Sequence, residues 1–166
     1  FADEAELADL FYKYGEDPNG RRLARAIVAH RPYATTRELA GVVEQAVPRR
    51  KGDKIHPATR VFQALRIAVN DELNGLERVL PQAIDLLRPG GLLAVISFHS
   101  LEDRIVKQAF KLASTDCICP PRTPICICGH RASVYLLTRK PIQADEAEIS
   151  RNPRSRSAKL RVVEKI

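Results

Sequence analysis

The run Leu92-Leu93-Ala94-Val95-Ile96 limits what this chain can fold into more than any other stretch. Pro89-Gly90-Gly91 leads into it, Ser97-Phe98-His99-Ser100 ends it, and Leu101-Glu102-Asp103 opens a helical pattern. An unbroken apolar strand between a turn and a helix suits a place buried on both faces, as in a parallel sheet covered by helices. Ligands in such sheets gather at the carboxyl ends of the strands. Phe98, His99 and Ser100 therefore stand where binding or chemistry is expected. The same residues would equally make an ordinary strand-to-helix turn with Ser100 as its N-cap.

Upstream of that strand the pattern is helical. Leu7, Leu10 and Phe11 share one face of a helix over Glu4–Tyr12. A second helix begins at Asn19 or Gly20, carries Leu23, Ile27 and Val28 in its stripe, and is ended by Pro32. Thr35 with Glu38 three residues later has the form of a capping box for a helix to about Ala46. Arg49–Lys54 is a basic loop that could face RNA. Beyond His56-Pro57, Phe62, Leu65, Val69, Leu73, Leu76 and Leu80 recur at spacings of three and four, which predicts a buried stripe. Asn74-Gly75 and Pro81 should break that run into two helices. Arg60, Gln63, Arg66 and Asn70 form a polar stripe, and its uncharged members Gln63 and Asn70 are candidates either to face a ligand or to bridge helices. After Phe110, two strands are expected, Ser133–Leu137 and Ala158–Val163.

The 166 residues, 45% apolar and 5% aromatic, suit one globular domain or a large part of one. No apolar run approaches the roughly 20 residues of a membrane span, and no secretory leader is recognisable. The chain begins with Phe1 and contains no Met, so it reads as a piece of a longer polypeptide. The net charge of +7 is concentrated late, because residues 114–166 hold ten Lys/Arg against five Asp/Glu. A localised basic surface favours phosphate-rich partners. Within it, Arg154, Arg156 and Lys159 lie near the start of the last strand among Ser residues, a composition suited to RNA phosphates.

All four cysteines fall in one loop, 116–131, as Cys117-Ile118-Cys119 and Cys126-Ile127-Cys128. Two close thiolate pairs suit tetrahedral zinc in a structural role, since four thiolates leave no open position for substrate. The spacing is C-x-C rather than the more usual C-x-x-C, and His130 could replace one sulfur. Disulfides and four reduced thiols remain open at this point. There is no glycine-rich cofactor fingerprint, because Gly90-Gly91 precedes a strand instead of following one.

Three segments in order, KIHPATRVFQALRIAVNDEL (Lys54–Leu73), LRPGGLLAVISFHSLEDRIVK (Leu87–Lys107) and NPRSRSAKLRVVEK (Asn152–Lys165), resemble the bacterial RsmH (MraW) family. The paired C-x-C loop is similar to one found in part of that family. The resemblance implies an α/β fold: the C-terminal half of a class I (Rossmann-like) methyltransferase sheet plus part of an inserted helical domain. Residues 1–55 would belong to the insert and 56–166 to the catalytic domain, with Leu92–Ser97 as the fifth strand and the last two strands as the sixth and seventh. It implies transfer of a methyl group from S-adenosylmethionine to the exocyclic N4 amino group of a cytidine in 16S ribosomal RNA of the small subunit, in the cytoplasm. The family's main cofactor-binding residues lie upstream of this chain, so no S-adenosylmethionine ligand and no catalytic residue is carried over, and the span alone should be inactive. What is carried over is the Phe98-His99-Ser100 turn as a wall of the target-base pocket, with Asn70 approaching it, and the basic tail as an RNA contact. A homodimer is left open. The rival reading is a non-catalytic RNA-binding module stapled by zinc at its cysteine loop.

Overall fold

The structure is a computed structural model that describes residues 2–48 and 55–166. The basic loop of residues 49–54, read above as RNA-facing, lies outside the described residues. The chain forms two compact units, the first extending to Glu72 and the second from Leu73 to Ile166.

The first unit is four helices: α1 (Glu4–Gly15), α2 (Gly20–Ala29), α3 (Thr36–Ala46) and α4 (Pro57–Asn70). The starts of α1, α3 and α4 follow local chemistry. Asp3 and Glu6 cap α1 reciprocally at 2.8 and 2.9 Å. Thr35 caps α3 by accepting from Glu38 N, while the Glu38 carboxylate reaches Ala34 N instead of closing the box on Thr35 N. His56 Nδ1 accepts from Ala58 N at 3.1 Å and Pro57 takes the first helical turn, where its missing N–H costs nothing. The core is Leu7, Phe11, Leu23, Ile27, Val43 and Val61, with small residues between them.

The buried stripe of α4 differs in phase from the expected one. Ala58, Val61, Ala64 and Ile67 are buried, Phe62 and Leu65 only flank the core, and Val69 is 83% exposed. The alanines face α1 because the two helices meet closely: a Cβ on Gly15 would stand 3.1 Å from the Arg60 carbonyl oxygen. Periodicity marked the larger side chains, whereas close helix approach selects the smaller ones. It is also why α4 falls in the first unit, which extends to Glu72, whereas the sequence reading ended the inserted domain at residue 55.

The helix break also moves. Asp71 adopts the left-handed conformation (φ 52°) and ends α4, after which α5 (Glu72–Leu86) runs unbroken through Asn74, Gly75 and Pro81. An interior proline costs a helix about 3 kcal/mol. Burial of Leu80 and Ile84, each side chain contributing about 1.5–3 kcal/mol, offsets it.

The second unit continues with β1 (Leu92–Ser97), α6 (Ser100–Ala113), β2 (Val134–Leu136), α7 (Glu146–Arg151), a 3-10 turn at Pro153–Ser157 and β3 (Lys159–Lys165). It is a mixed α/β arrangement with a three-stranded sheet in the order β1-β3-β2, antiparallel at both junctions. Register is fixed by pairs such as Ala94↔Val162 and Tyr135↔Glu164. Gly90, in the left-handed region at φ 77°, lets the Pro-Gly-Gly turn bond the end of β3 from both Gly90 N and Gly91 O.

One sheet face, with Leu93, Val95, Val134 and Val163, packs on Leu80 and Ile84 of α5 and on Val106 and Phe110 of α6. The opposite face leaves Leu92, Ile96, Tyr135 and Ile142 exposed. The expectation that β1 is buried on both faces in a parallel setting is therefore corrected on both counts. An apolar run specifies burial but not the direction of the neighbouring strand, and α5 and α6 cover one side only.

Gly20→Ala would press a Cβ to 2.7 Å from the Ala8 carbonyl oxygen. Urea unfolding of the full-length protein should show a loss of about 1–3 kcal/mol. The present span expressed alone, with its apolar sheet face and the unpaired edge of β1, should self-associate in size-exclusion chromatography.

Candidate functional site

The corner between β1 and α6 is held by its own backbone and two side chains. His99, not Ser100, is the N-cap of α6: Glu102 N donates to His99 Nδ1 at 3.3 Å. In return the Glu102 carboxylate accepts from Phe98 N at 2.8 Å and from His99 N at 3.3 Å. Ser100 becomes the first helical residue because the imidazole reaches the amide that a serine hydroxyl would otherwise take. Burial alone would raise the Glu102 pKa, but the adjacent His99 ring and the bonds from the Phe98 and His99 amides outweigh it and hold the carboxyl below its ordinary value.

This capping arrangement fixes the ring's tautomer. With Nδ1 accepting, the neutral imidazole carries its proton on Nε2. His99 Nε2 is buried, lies 3.3 Å from Glu102 Oε1 but off the line of a hydrogen bond, and has no hydrogen-bond partner among the described residues. Such an atom is unfavourable unless something else meets it. Beside it, Phe98 is 56% exposed, an uncovered aromatic face at the carboxyl end of an apolar strand.

The next helical residue does something the sequence reading did not anticipate. Asp103 accepts from Arg161 Nε at 2.7 Å and Nη2 at 3.2 Å, and from Lys159 Nζ at 3.4 Å. Asp103 and Arg161 are both buried. The Arg161 guanidinium bonds, opposed by burial and helped by its charge and that of Lys159, hold the Asp103 carboxyl below its ordinary value. Only the alternation of β3, which turns Arg161 to the same face as Val163, could have signalled this pair. Lys159, expected to meet phosphate, thus spends part of its charge inside the protein. Arg154 and Arg156 stand exposed on the 3-10 turn on either side of buried Ser155, whose hydroxyl donates to Asn152 O at 2.8 Å and pins the turn. A hollow of about 260 Å³ lined by Lys107, Phe110, Lys111, Leu136, Arg139 and Arg161 adds a basic concavity that the sequence did not reveal.

In the first unit, Asn70 Nδ2 donates to Glu72 Oε1 at 3.1 Å and Arg66 grips the same carboxylate. Gln63 Nε2 donates to Tyr14 O at 3.3 Å, a bridge between α4 and the end of α1. In the cysteine loop, Cys117, Cys119, Cys126 and Cys128 bring their sulfurs together as free thiols. The Ile118 and His130 amides pull Cys128 down to about 6. Against the lowering effect of the Cys119 amide, the facing thiols push Cys117 up to about 12.

The profile of the MraW methylase family matches residues 2–166. The chain belongs to the MraW methylase family. Among its relatives, the ribosomal RNA small subunit methyltransferase H of Dehalococcoides mccartyi strain 195 is 60% identical over 164 residues, covering 99% of this chain and 47% of that protein. Its counterpart in Thermomicrobium roseum is 57% identical, covering 97% of this chain and 50% of that protein. That of Geobacter sp. strain M21 is 56% identical, with 98% and 54% covered. The chain therefore spans about half the length of these relatives. Among its described residues no helix is long and apolar enough to cross a membrane.

Asp103→Asn leaves Arg161 buried without its counter-charge, and urea unfolding should show a loss of about 3 kcal/mol. Because the folded-state pKa is depressed, the pair's contribution is fully present above about pH 4 and is lost as pH falls through that lowered value. The difference between wild type and variant should therefore narrow only in acid.

Proposed function

We propose that this chain is the base-facing, C-terminal portion of a cytoplasmic methyltransferase that modifies small-subunit ribosomal RNA, with S-adenosylmethionine as methyl donor. In this reading the target is the exocyclic N4 amino group of a cytidine. The first unit is part of an inserted helical domain and the second the end of a class I methyltransferase sheet. The family match along the chain supports this, and so does the buried, unpartnered His99 Nε2 beside an exposed Phe98 at the carboxyl end of β1.

S-adenosylmethionine would supply an electrophilic methyl group. Among the described residues no strand is followed by the glycine-rich turn that cradles such cofactors, so in this reading the cofactor is held mainly by the part of the relatives' length that this chain does not span. The chain's own residues bind and orient. Phe98 offers its ring to one face of an extruded cytosine. His99 Nε2–H donates to an acceptor on the base, and its position is fixed by the bond at Nδ1. Ser100 completes the candidate polar contacts. Methyl transfer to an amine depends chiefly on holding its nitrogen in line with the methyl group, so a rigid cap is a fitting support. Arg154 and Arg156, with Lys159 contributing less, would meet RNA phosphates; such contacts position the RNA without reading its sequence.

His99→Ser keeps an N-cap while removing the far ring nitrogen. In the full-length protein acting on small ribosomal subunits, methyl transfer should fall roughly tenfold or more with thermal stability retained. N4-methylcytidine in digested RNA, read by mass spectrometry, is the expected product, and wild-type turnover by the variant would remove His99 from the site. The double variant Arg154→Ala/Arg156→Ala should weaken RNA binding and reduce its salt slope by about two, without altering which nucleotide is methylated.

A further inference from the structure

We propose that Cys117, Cys119, Cys126 and Cys128 hold one structural zinc ion. Four thiolates around zinc at about 2.3 Å form a tetrahedron whose edges are about 3.8 Å. The sulfur separations follow that figure: Cys117 to Cys126 is 3.5 Å, Cys117 to Cys128 3.8 Å, Cys119 to Cys126 3.9 Å and Cys126 to Cys128 3.5 Å. All four sulfurs lie within 4.8 Å of one another. A disulfide would bring a pair to about 2.05 Å, and four unrelated thiols have no reason to converge on one point.

Four features point to the same ligand. Ile118 N is directed at Cys128 Sγ at 3.5 Å, a backbone donor of the kind that steadies a metal-bound thiolate. Gly129 follows Cys128 in the left-handed region at φ 64°, so the chain turns away immediately after the last sulfur. His130, the candidate to replace one sulfur, directs its Nε2 instead at Leu112 O at 3.0 Å, which leaves the ligand set as four sulfurs.

The fourth feature is that the loop has no apolar core of its own. None of residues 116–131 is buried, and no helix or strand forms between α6 and β2. Its isoleucines give no core, since Ile125 is 77% and Ile127 84% exposed. Loops beyond about 12 residues without structure of their own are uncommon in compact domains, and segments too small for an apolar core are held by disulfides or metals. The base of the excursion is tied by Ser133 N to Ala113 O at 2.8 Å and by Ala132 N to Asp116 Oδ1 at 3.3 Å, while its distal part holds a local turn at Thr123, bonded to Pro120 O, and the cluster of sulfurs. Zinc matches soft ligands in this geometry, and a closed four-sulfur site gives it a structural task.

The test uses the full-length protein purified under reducing conditions from zinc-supplied cells. Elemental analysis should find about one zinc per chain, and X-ray absorption about four sulfurs near 2.3 Å. Cys117→Ser and Cys126→Ser should each lower the zinc content severalfold. Chelation should speed proteolysis within residues 116–131 roughly tenfold while sparing the rest of the chain. The wild-type measurements stand even if a variant fails to fold. Less than about a tenth of an equivalent of zinc with four freely titrating thiols, a mass showing disulfides, or iron in zinc's place would each overturn the proposal.

Discussion

Arg161 is a cation on the covered face of a sheet, between valines, and the arrangement of the second unit depends on meeting its charge. Asp103 does so with two hydrogen bonds from the first turn of α6. Removing a guanidinium from water is expensive, and only close, two-point pairing of this kind recovers the cost. The pair spans 58 positions of sequence and locks the start of α6 against β3. Since His99 caps that same helix, the ion pair also determines where its imidazole lies. A small shift of α6 would move the Nε2 proton as surely as a substitution at His99 itself.

The two ends of α6 are stabilised by different chemistry. At its start, Glu102 faces backward to the cap and Asp103 inward to the sheet, so adjacent carboxylates serve the corner and the core. Beyond its end the chain leaves the apolar core altogether and closes on sulfur. Between them, Val106 and Phe110 supply ordinary burial against the sheet. The second unit thus combines an apolar middle with a polar clamp near the proposed base pocket and a thiol cluster at the far side of the helix. Its exposed sheet face, with Leu92 and Ile96, is the part with no such support among the described residues.

Much of the local structure was legible in the sequence. The starts of α1, α3 and α4 and the strand at Leu92 are written in short-range signals: a carboxylate or hydroxyl ahead of a helix, proline in its first turn, an apolar run after Gly-Gly. The phase of α4 and the passage of α5 through Pro81 were not, because both depend on neighbours. Ala58 and Ala64 carry weak signals in isolation and become core only because α1 approaches at Gly15. Pro81 reads as a break until Leu80 and Ile84 are seen anchoring the turns around it.

At the candidate site the division is similar. Residue type and position brought forward Phe98, His99, the two arginines and the four cysteines, since ring, imidazole, guanidinium and thiol each carry their chemistry wherever they fold. The sequence by itself determined that chemistry and the helix and strand boundaries near it. Tertiary structure alone decided that Lys159 shares its charge with Asp103 and that four sulfurs separated along a loop meet at one point. The reason is range: capping and turn preferences act over three or four residues, while a buried ion pair or a shared ligand position exists only once distant segments are brought within a few ångströms.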